Sequence, residues 1–331
     1  FCIIGEIVQV NNLVTRNAAG AWSQKADINN NRGVARSSHM GPRAVITAGG
    51  VNTMEVIPIG IPGVDAVDFG DGVNEVSSCA GGTDGNRGLT WGGSEPPYVD
   101  TIGYFNFISS NNAQDFGNLV AALAGKGQGA NDGSKAVDGG GEAGYPTGTS
   151  VIQFVTVGTT GNAIDYGEFP EATGRSNGPG VCSNGSRGVW GGGTTPGVSP
   201  DIIDLMTYIT IAIGGTAVDF GEMISALYNR AAVSDGSRGV WTGGYTGNTD
   251  MEYRNIATTG GGTSTDFGDL TADRAYHSGA GDGNRAVIGG GNGSPQNSLI
   301  DYWSIGTLGN AIDWGQKTTA GHYAPNAVSG G

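Results

Sequence analysis

The sequence predicts an all-β protein, a seven-bladed β-propeller of four-stranded antiparallel blades forming one domain over residues 1–331. Three observations predict it. A tripeptide, Asp-aromatic-Gly, returns at Asp68-Phe69-Gly70, Asp115-Phe116-Gly117, Asp165-Tyr166-Gly167, Asp219-Phe220-Gly221, Asp266-Phe267-Gly268 and Asp313-Trp314-Gly315. Its aromatics stand 47, 50, 54, 47 and 47 residues apart, and a fixed period near 50 marks repeat units of one small sheet each. Around every tripeptide the same turn and strand signals recur in the same order. Finally, residues 7–24 align without gaps to 299–316, with Trp22 falling on Trp314.

Residues 230–269 serve as the type repeat. Arg230-Ala231-Ala232-Val233-Ser234 reads as a short apolar strand a. Asp235-Gly236 follows, a type I′ hairpin signal. Strand b runs from Arg238 through Val240 and Trp241 to the pair Gly243-Gly244. Strand c, from Met251 to Ala257, carries Tyr253, and strand d carries Asp266-Phe267-Gly268. Four short strands with turns between them make one antiparallel sheet. The a–b turn returns as Asp84-Gly85, Asp132-Gly133, Asn184-Gly185 and Asp282-Gly283. A base opens strand b at Arg43, Arg87, Lys135, Arg187, Arg238 and Arg285. The blades so read span about 30–75, 76–121, 122–172, 173–225, 226–271 and 272–317, with strand a of the first near Val34–Ser38.

The ends read as a seventh blade, split between residues 1–29 and 318–331. Phe1–Ile4 is a candidate strand b, followed by strands c and d, while residues 322–330 resemble the other a strands. Such a ring closes by completing one blade from both ends, and closure removes exposed sheet edges.

Composition narrows the function classes. Glycine contributes 64 residues without a Gly-X-Y period, which excludes collagen. The formal charge of −14 argues against nucleic acid as a partner, since phosphate binding needs a basic stripe. Cys2, Cys79 and Cys182 form no CxxC and read as small buried hydrophobes. No apolar run is long enough to span a membrane. Phe1-Cys2-Ile3-Ile4 is too short for a signal peptide, and an opening Phe in place of Met reads as processing or as a piece of a longer chain.

The apolar strand ending in Gly-Gly, the Tyr of the third strand and the aromatic of the fourth resemble the kelch pattern over nearly the whole chain. The gap from Tyr253 to Phe267 is longer than kelch repeats usually show. The fuller repeat, Asp-Gly-Ser-Arg-Gly-Val-Trp-Gly-Gly, an Ile-Asp-Tyr-like strand, Thr-Thr-Gly-Asn-Ala and Asp-Phe-Gly, resembles propeller repeats in virion and tail-fibre proteins of tailed phages, those of marine and cyanobacterial phages above all. The resemblance implies a kelch-like propeller in a virion, exposed to the extracellular medium.

The repeated aromatics read as wedges between neighbouring sheets, because one large ring per blade supplies the greatest burial. The repeated base and the repeated Asp of strand d leave two readings: an Arg–Asp pair, or an Asp that caps its own turn. His277 and His322 fall on adjacent a strands, which in a kelch-like ring line the channel. Two histidines without a thiolate or carboxylate do not make a metal site. The kelch class includes a copper oxidase, but no Tyr–Cys–His set is found here. No GxSxG elbow or GxxxxGK[ST] phosphate loop occurs either. No catalytic residue, metal or cofactor is therefore expected.

Strand direction alternates, so the a–b and c–d turns share one face and the b–c and d–a loops the other. The a–b and c–d turns repeat nearly verbatim, while the b–c loops differ in every blade. Variation on one face of a rigid ring is how loop-borne binding sites are built. Tyr98, Tyr145 and Tyr245 are the candidate stacking plates there, with Glu95 and Glu142 as acceptors for sugar hydroxyls. The expected function is that of a non-enzymatic virion appendage on a tail fibre or surface fibre. It binds a host-surface glycan or receptor through this face, with other virion subunits as further partners. The alternatives are a purely structural virion protein, a secreted or cell-surface lectin-like propeller, and a metalloenzyme with its site in the channel.

Overall fold

The computed structural model describes residues 14–16, 22–24, 43–47, 50–94, 98–124, 129–144, 147–171, 174–197, 201–245, 248–291, 299–316 and 326–330. The described chain is a β-propeller of six blades, each an antiparallel sheet in the order a-b-c-d. Blade 2 runs Ala80–Thr83, Arg87–Trp91, Thr101–Asn106 and Gln114–Asn118; blade 3 runs Ala130–Asn131, Lys135–Gly139, Val151–Thr156 and Ile164–Glu168. Blade 4 runs Gly180–Ser183, Arg187–Gly191, Leu205–Thr210 and Val218–Glu222. Blade 5 runs Ala231–Ser234, Arg238–Thr242, Asp250–Asn255 and Thr265–Asp269; blade 6 runs Ser278–Gly281, Arg285–Gly289, Leu299–Ser304 and Ile312–Gln316.

Blade 1 corrects the expected closure. Its strands b, c and d are Arg43–Thr47, Val51–Pro58 and Val67–Val76, and its strand a is the C-terminal Asn326–Gly330. Ala327 pairs with Ile46 and Val328 with Val45. The C-terminal strand thus completes the first repeat and not an N-terminal half-blade. Blade 6 then touches blade 1 directly, since Arg285 donates to the Ile59 carbonyl at 2.8 Å. That contact leaves no gap for a seventh sheet. Val14–Arg16 and Trp22–Gln24 form a separate antiparallel pair. The expected strands at Phe1–Ile4 and Val34–Ser38 lie outside the described residues.

The Asp-aromatic-Gly tripeptide is a β-bulge. In blade 5, Met251 pairs with Gly268 and Glu252 with Asp266, so Phe267 is the extra residue. The same register shift falls at Phe69, Phe116, Tyr166, Phe220 and Trp314. A bulge bends the strand and re-aims one side chain. Here that side chain packs between blades: Phe267 is buried with Val240 and Met251 of its own blade and Trp303 and Ile305 of the next.

The repeated Asp caps its own bulge. Its Oδ1 accepts from the glycine N–H two residues on in all six copies, at 2.7–3.2 Å. This corrects the Arg–Asp pair, because the repeated base points to a neighbouring blade. Arg43 donates to the Phe107 carbonyl, Arg87 to Val157, Lys135 to Ala212, Arg187 to Ile256 and Arg238 to Ile305. With Arg285 on Ile59, these six joints close the ring.

The bulge glycine admits the next blade's c–d turn. Gly268 has φ +141, and a Cβ there would stand 2.5 Å from the Gly309 carbonyl oxygen. Gly309 N–H donates to Phe267 O at 2.9 Å, and the Asn310 side chain accepts from Asp269 N–H. The Gly-Asn-Ala of the repeat is therefore a joint. The a–b turns also differ from expectation. Gly236 has φ +85 while Ser237 is absent from the left-handed residues, the type II′ pattern and not I′. Asp235 stabilises it by accepting from Ser237 N–H and Arg238 N–H.

Candidate functional site

The b–c and d–a loops gather on one face, held from beneath by polar residues buried in strand c. Glu55, Gln153, Thr207, Glu252 and Asp301 occupy one repeat position and are essentially inaccessible. Three of them bind the d–a loop of the preceding blade. Gln153 accepts from Val120 N–H at 2.9 Å, Glu252 from Ile224 N–H at 2.7 Å and Asp301 from Thr271 N–H at 3.2 Å. A single polar residue inside an apolar strand was the sequence signal for these anchors. Two carboxylates also hold buried arginines: Arg230 on Glu252 at 2.5 Å and Arg274 on Asp301 at 3.2 Å. Blade 2 has Gly103 at this position, and Val73 of the preceding strand d leans over the gap.

The glycine pair that closes strand b lets a d–a loop lie against it. Gly244 N–H donates to Arg274 O at 3.0 Å, and Gly193 N–H to Leu227 O at 3.0 Å. The loops are thus stitched at their bases and free to differ at their tips.

Two of the expected residues meet. The Tyr98 hydroxyl donates to Glu142 Oε2 at 3.3 Å, bridging the b–c loops of blades 2 and 3. Glu142 is buried, and its backbone exchanges hydrogen bonds with Ala124. Burial raises the Glu142 carboxyl above its ordinary 4.5, and the Tyr98 hydrogen bond pulls the other way. Tyr98 is half-buried and already partnered, so this pair is a strut between loops rather than an open plate. Tyr145 and Glu95 lie outside the described residues.

Tyr245 belongs to a different cluster. It is 42% exposed and stacks on Tyr228, with ring centroids 4.8 Å apart and planes at 25°. Tyr276 stands edge-on to it, 6.2 Å away at 88°. Backbone bonds fix all three: Tyr245 N–H donates to Tyr228 O at 2.9 Å, and Tyr276 N–H to Asn229 O at 3.0 Å. The cluster joins the d–a loops on both sides of blade 5 to its b–c loop. Tyr228 and Tyr276 escape sequence reasoning that weighs b–c loop aromatics alone. Their signal is positional, since each lies two or three residues ahead of a strand a.

His277 does not face the channel. It sits just before strand a of blade 6, buried, with Nε2 bonded to the Thr242 hydroxyl at 2.9 Å. Burial, with Arg274 and Arg230 close by, holds it well below 6.5, so it is neutral. His322 lies outside the described residues. The central channel is a cavity of about 130 Å³ lined by a strands, with Thr83, Asn131, Ser183 and Ser234 as its polar side chains. Cys182, on its wall, is a buried thiol that burial pushes up. Among the described residues no three His, Cys, Asp or Glu side chains converge as metal ligands.

No protein-family model matches this chain. No curated protein matches it either.

Proposed function

We propose that this protein is a non-enzymatic virion appendage, a propeller on a tail fibre or surface fibre of a phage. It binds a host-surface glycan or receptor through the b–c/d–a face. The observation that carries the binding reading is the Tyr228–Tyr245–Tyr276 cluster on that face. Tyr245, the exposed ring of the cluster, offers a flat apolar plate with a polar tip, the chemistry that stacks on sugars and side chains. The virion assignment rests on the repeat text, Asp-Gly-Ser-Arg-Gly-Val-Trp-Gly-Gly through Asp-Phe-Gly, and its resemblance to tailed-phage propeller repeats.

A purely structural reading has one observation in its favour. Ile164, Ile213 and Val218 are more than half exposed on the opposite face, at the outer rim of blades 3 and 4. Such side chains suit contacts with neighbouring subunits.

The test is adhesion of purified protein to candidate bacterial hosts. The wild type adheres, and a Tyr228→Ala/Tyr245→Ala/Tyr276→Ala variant, folded by circular dichroism, does not. Equal adhesion by both proteins removes the loop face as the binding site. Adhesion by neither, across the host panel, removes host binding and leaves the structural reading.

A further inference from the structure

The approach to strand a follows one backbone rule. The residue two positions before the strand has positive φ in each blade where it is described: Ser78 (54°), Gly178 (50°), Asn229 (56°) and Tyr276 (55°). Glycine and asparagine tolerate this left-handed region, whereas a bulky aromatic there is an outlier that costs free energy. Blade 6 nevertheless has tyrosine. What the strain achieves is placement: the Tyr276 ring stands at a right angle to Tyr245, whose other neighbour, Tyr228, stacks on it. Residual strain of this kind gathers at ligand sites.

Charge then selects the ligand. Among the described residues, the charged side chains of the b–c and d–a loops that reach solvent are acids, Asp100, Glu171 (paired with Arg175), Asp201, Asp204 and Asp273, while Lys126 and Lys317 of the same loops lie outside the described residues. Asp250, exposed at the start of strand c in blade 5, adds another. The bases beneath the cluster are wholly buried, each against a carboxylate, Arg230 with Glu252 and Arg274 with Asp301. Asp250 opens strand c directly after the b–c loop that carries Tyr245, and Asp273 lies three residues before Tyr276 in the same d–a loop. A chain of net charge −14 adds a field of the same sign. Rings meeting at right angles beside carboxylates are the chemistry that holds alkylammonium groups, through the negative faces of the rings.

We infer that the corner between Tyr245 and Tyr276 binds an alkylammonium group carried by the host-surface ligand; this rests on the binding reading above and names its chemistry. Neutral hexoses stack on rings as well, but the acids would give them no preference over an apolar plate. Anionic sugars are repelled.

The experiment titrates the 331-residue chain with choline, and separately with its neutral isostere in which carbon replaces nitrogen, following tyrosine ring resonances. Choline shifts the three tyrosines saturably, and the isostere binds at least about tenfold more weakly. Tyr245→Phe keeps choline binding, Tyr245→Ala abolishes it, and Asp250→Asn weakens it several-fold. Equal binding of choline and isostere, or no choline shift in a folded chain, overturns the inference. The two readings fail separately. Adhesion to hosts without choline binding removes the ammonium site alone; choline binding without adhesion removes host attachment alone.

Discussion

The two faces of the ring obey opposite rules. On the a–b/c–d face the same two contacts recur in six blades: a base on a carbonyl of the next blade, with Lys135 reaching one residue further than the arginines do, and an Asp on its own bulge glycine. On the b–c/d–a face the repetition stops below the surface, at Glu252 and its counterparts, and the tips diverge. One face is a set of joints, and the other is a set of platforms fixed from beneath. What recurs builds the ring, and what departs from the recurrence, as Tyr276 departs from Ser78, Gly178 and Asn229, marks the proposed site.

The largest expected effect breaks the platform face from within. Glu252→Ala strands Arg230 in a buried site and costs about 3–5 kcal/mol in unfolding free energy. The double variant Arg230→Met/Glu252→Gln recovers most of the loss, as denaturant melts would show. Gly268→Val attacks a joint. With φ +141 and the Gly309 carbonyl at 2.5 Å from any Cβ, it costs about 3 kcal/mol. Arg238→Ala removes one interblade bond and costs about 1–2 kcal/mol. Arg238→Lys costs less, since Lys135 makes a comparable joint in blade 3, to the carbonyl one residue on.

A pH scan sharpens the comparison. His277 is held below 6.5 in the folded chain, so the unfolded chain binds more protons as pH falls through that value. Stability from this group is full above about 6.5 and is lost at lower pH. His277→Gln flattens that part of the stability profile. The joints on the other face contain no histidine among the described residues, and substitutions there leave the profile's shape unchanged. Tyr245→Ala is the smallest in stability, within about 0.5–1 kcal/mol, because the ring is substantially exposed.

Much of the fold was legible because its signals are local. Asp-Gly and Asn-Gly turns, closing glycine pairs and the aromatic bulge each depend on a few neighbouring residues. Blade number was not, because it depends on which strand b the last strand meets. Ala327-Val328-Ser329 suits the edge of an N-terminal half-blade and of Arg43–Thr47 alike, and the similarity of 7–24 to 299–316 favoured the former. The turn type failed for a similar reason: Asp-Gly fits I′ and II′ loops, and only the following residue's φ separates them. At the candidate site Tyr245 was visible as a loop aromatic. Tyr228 and Tyr276 were not, since their proximity depends on two d–a loops converging across blade 5.

The division between joints and platforms is tested most directly by Tyr245→Ala and Arg238→Ala side by side, each measured for host adhesion and melting temperature. Tyr245→Ala is expected to lose adhesion at nearly wild-type melting temperature, while Arg238→Ala melts several degrees lower and adheres normally when folded. Loss of adhesion in Arg238→Ala at a temperature where it is fully folded, with adhesion kept in Tyr245→Ala, would contradict that division.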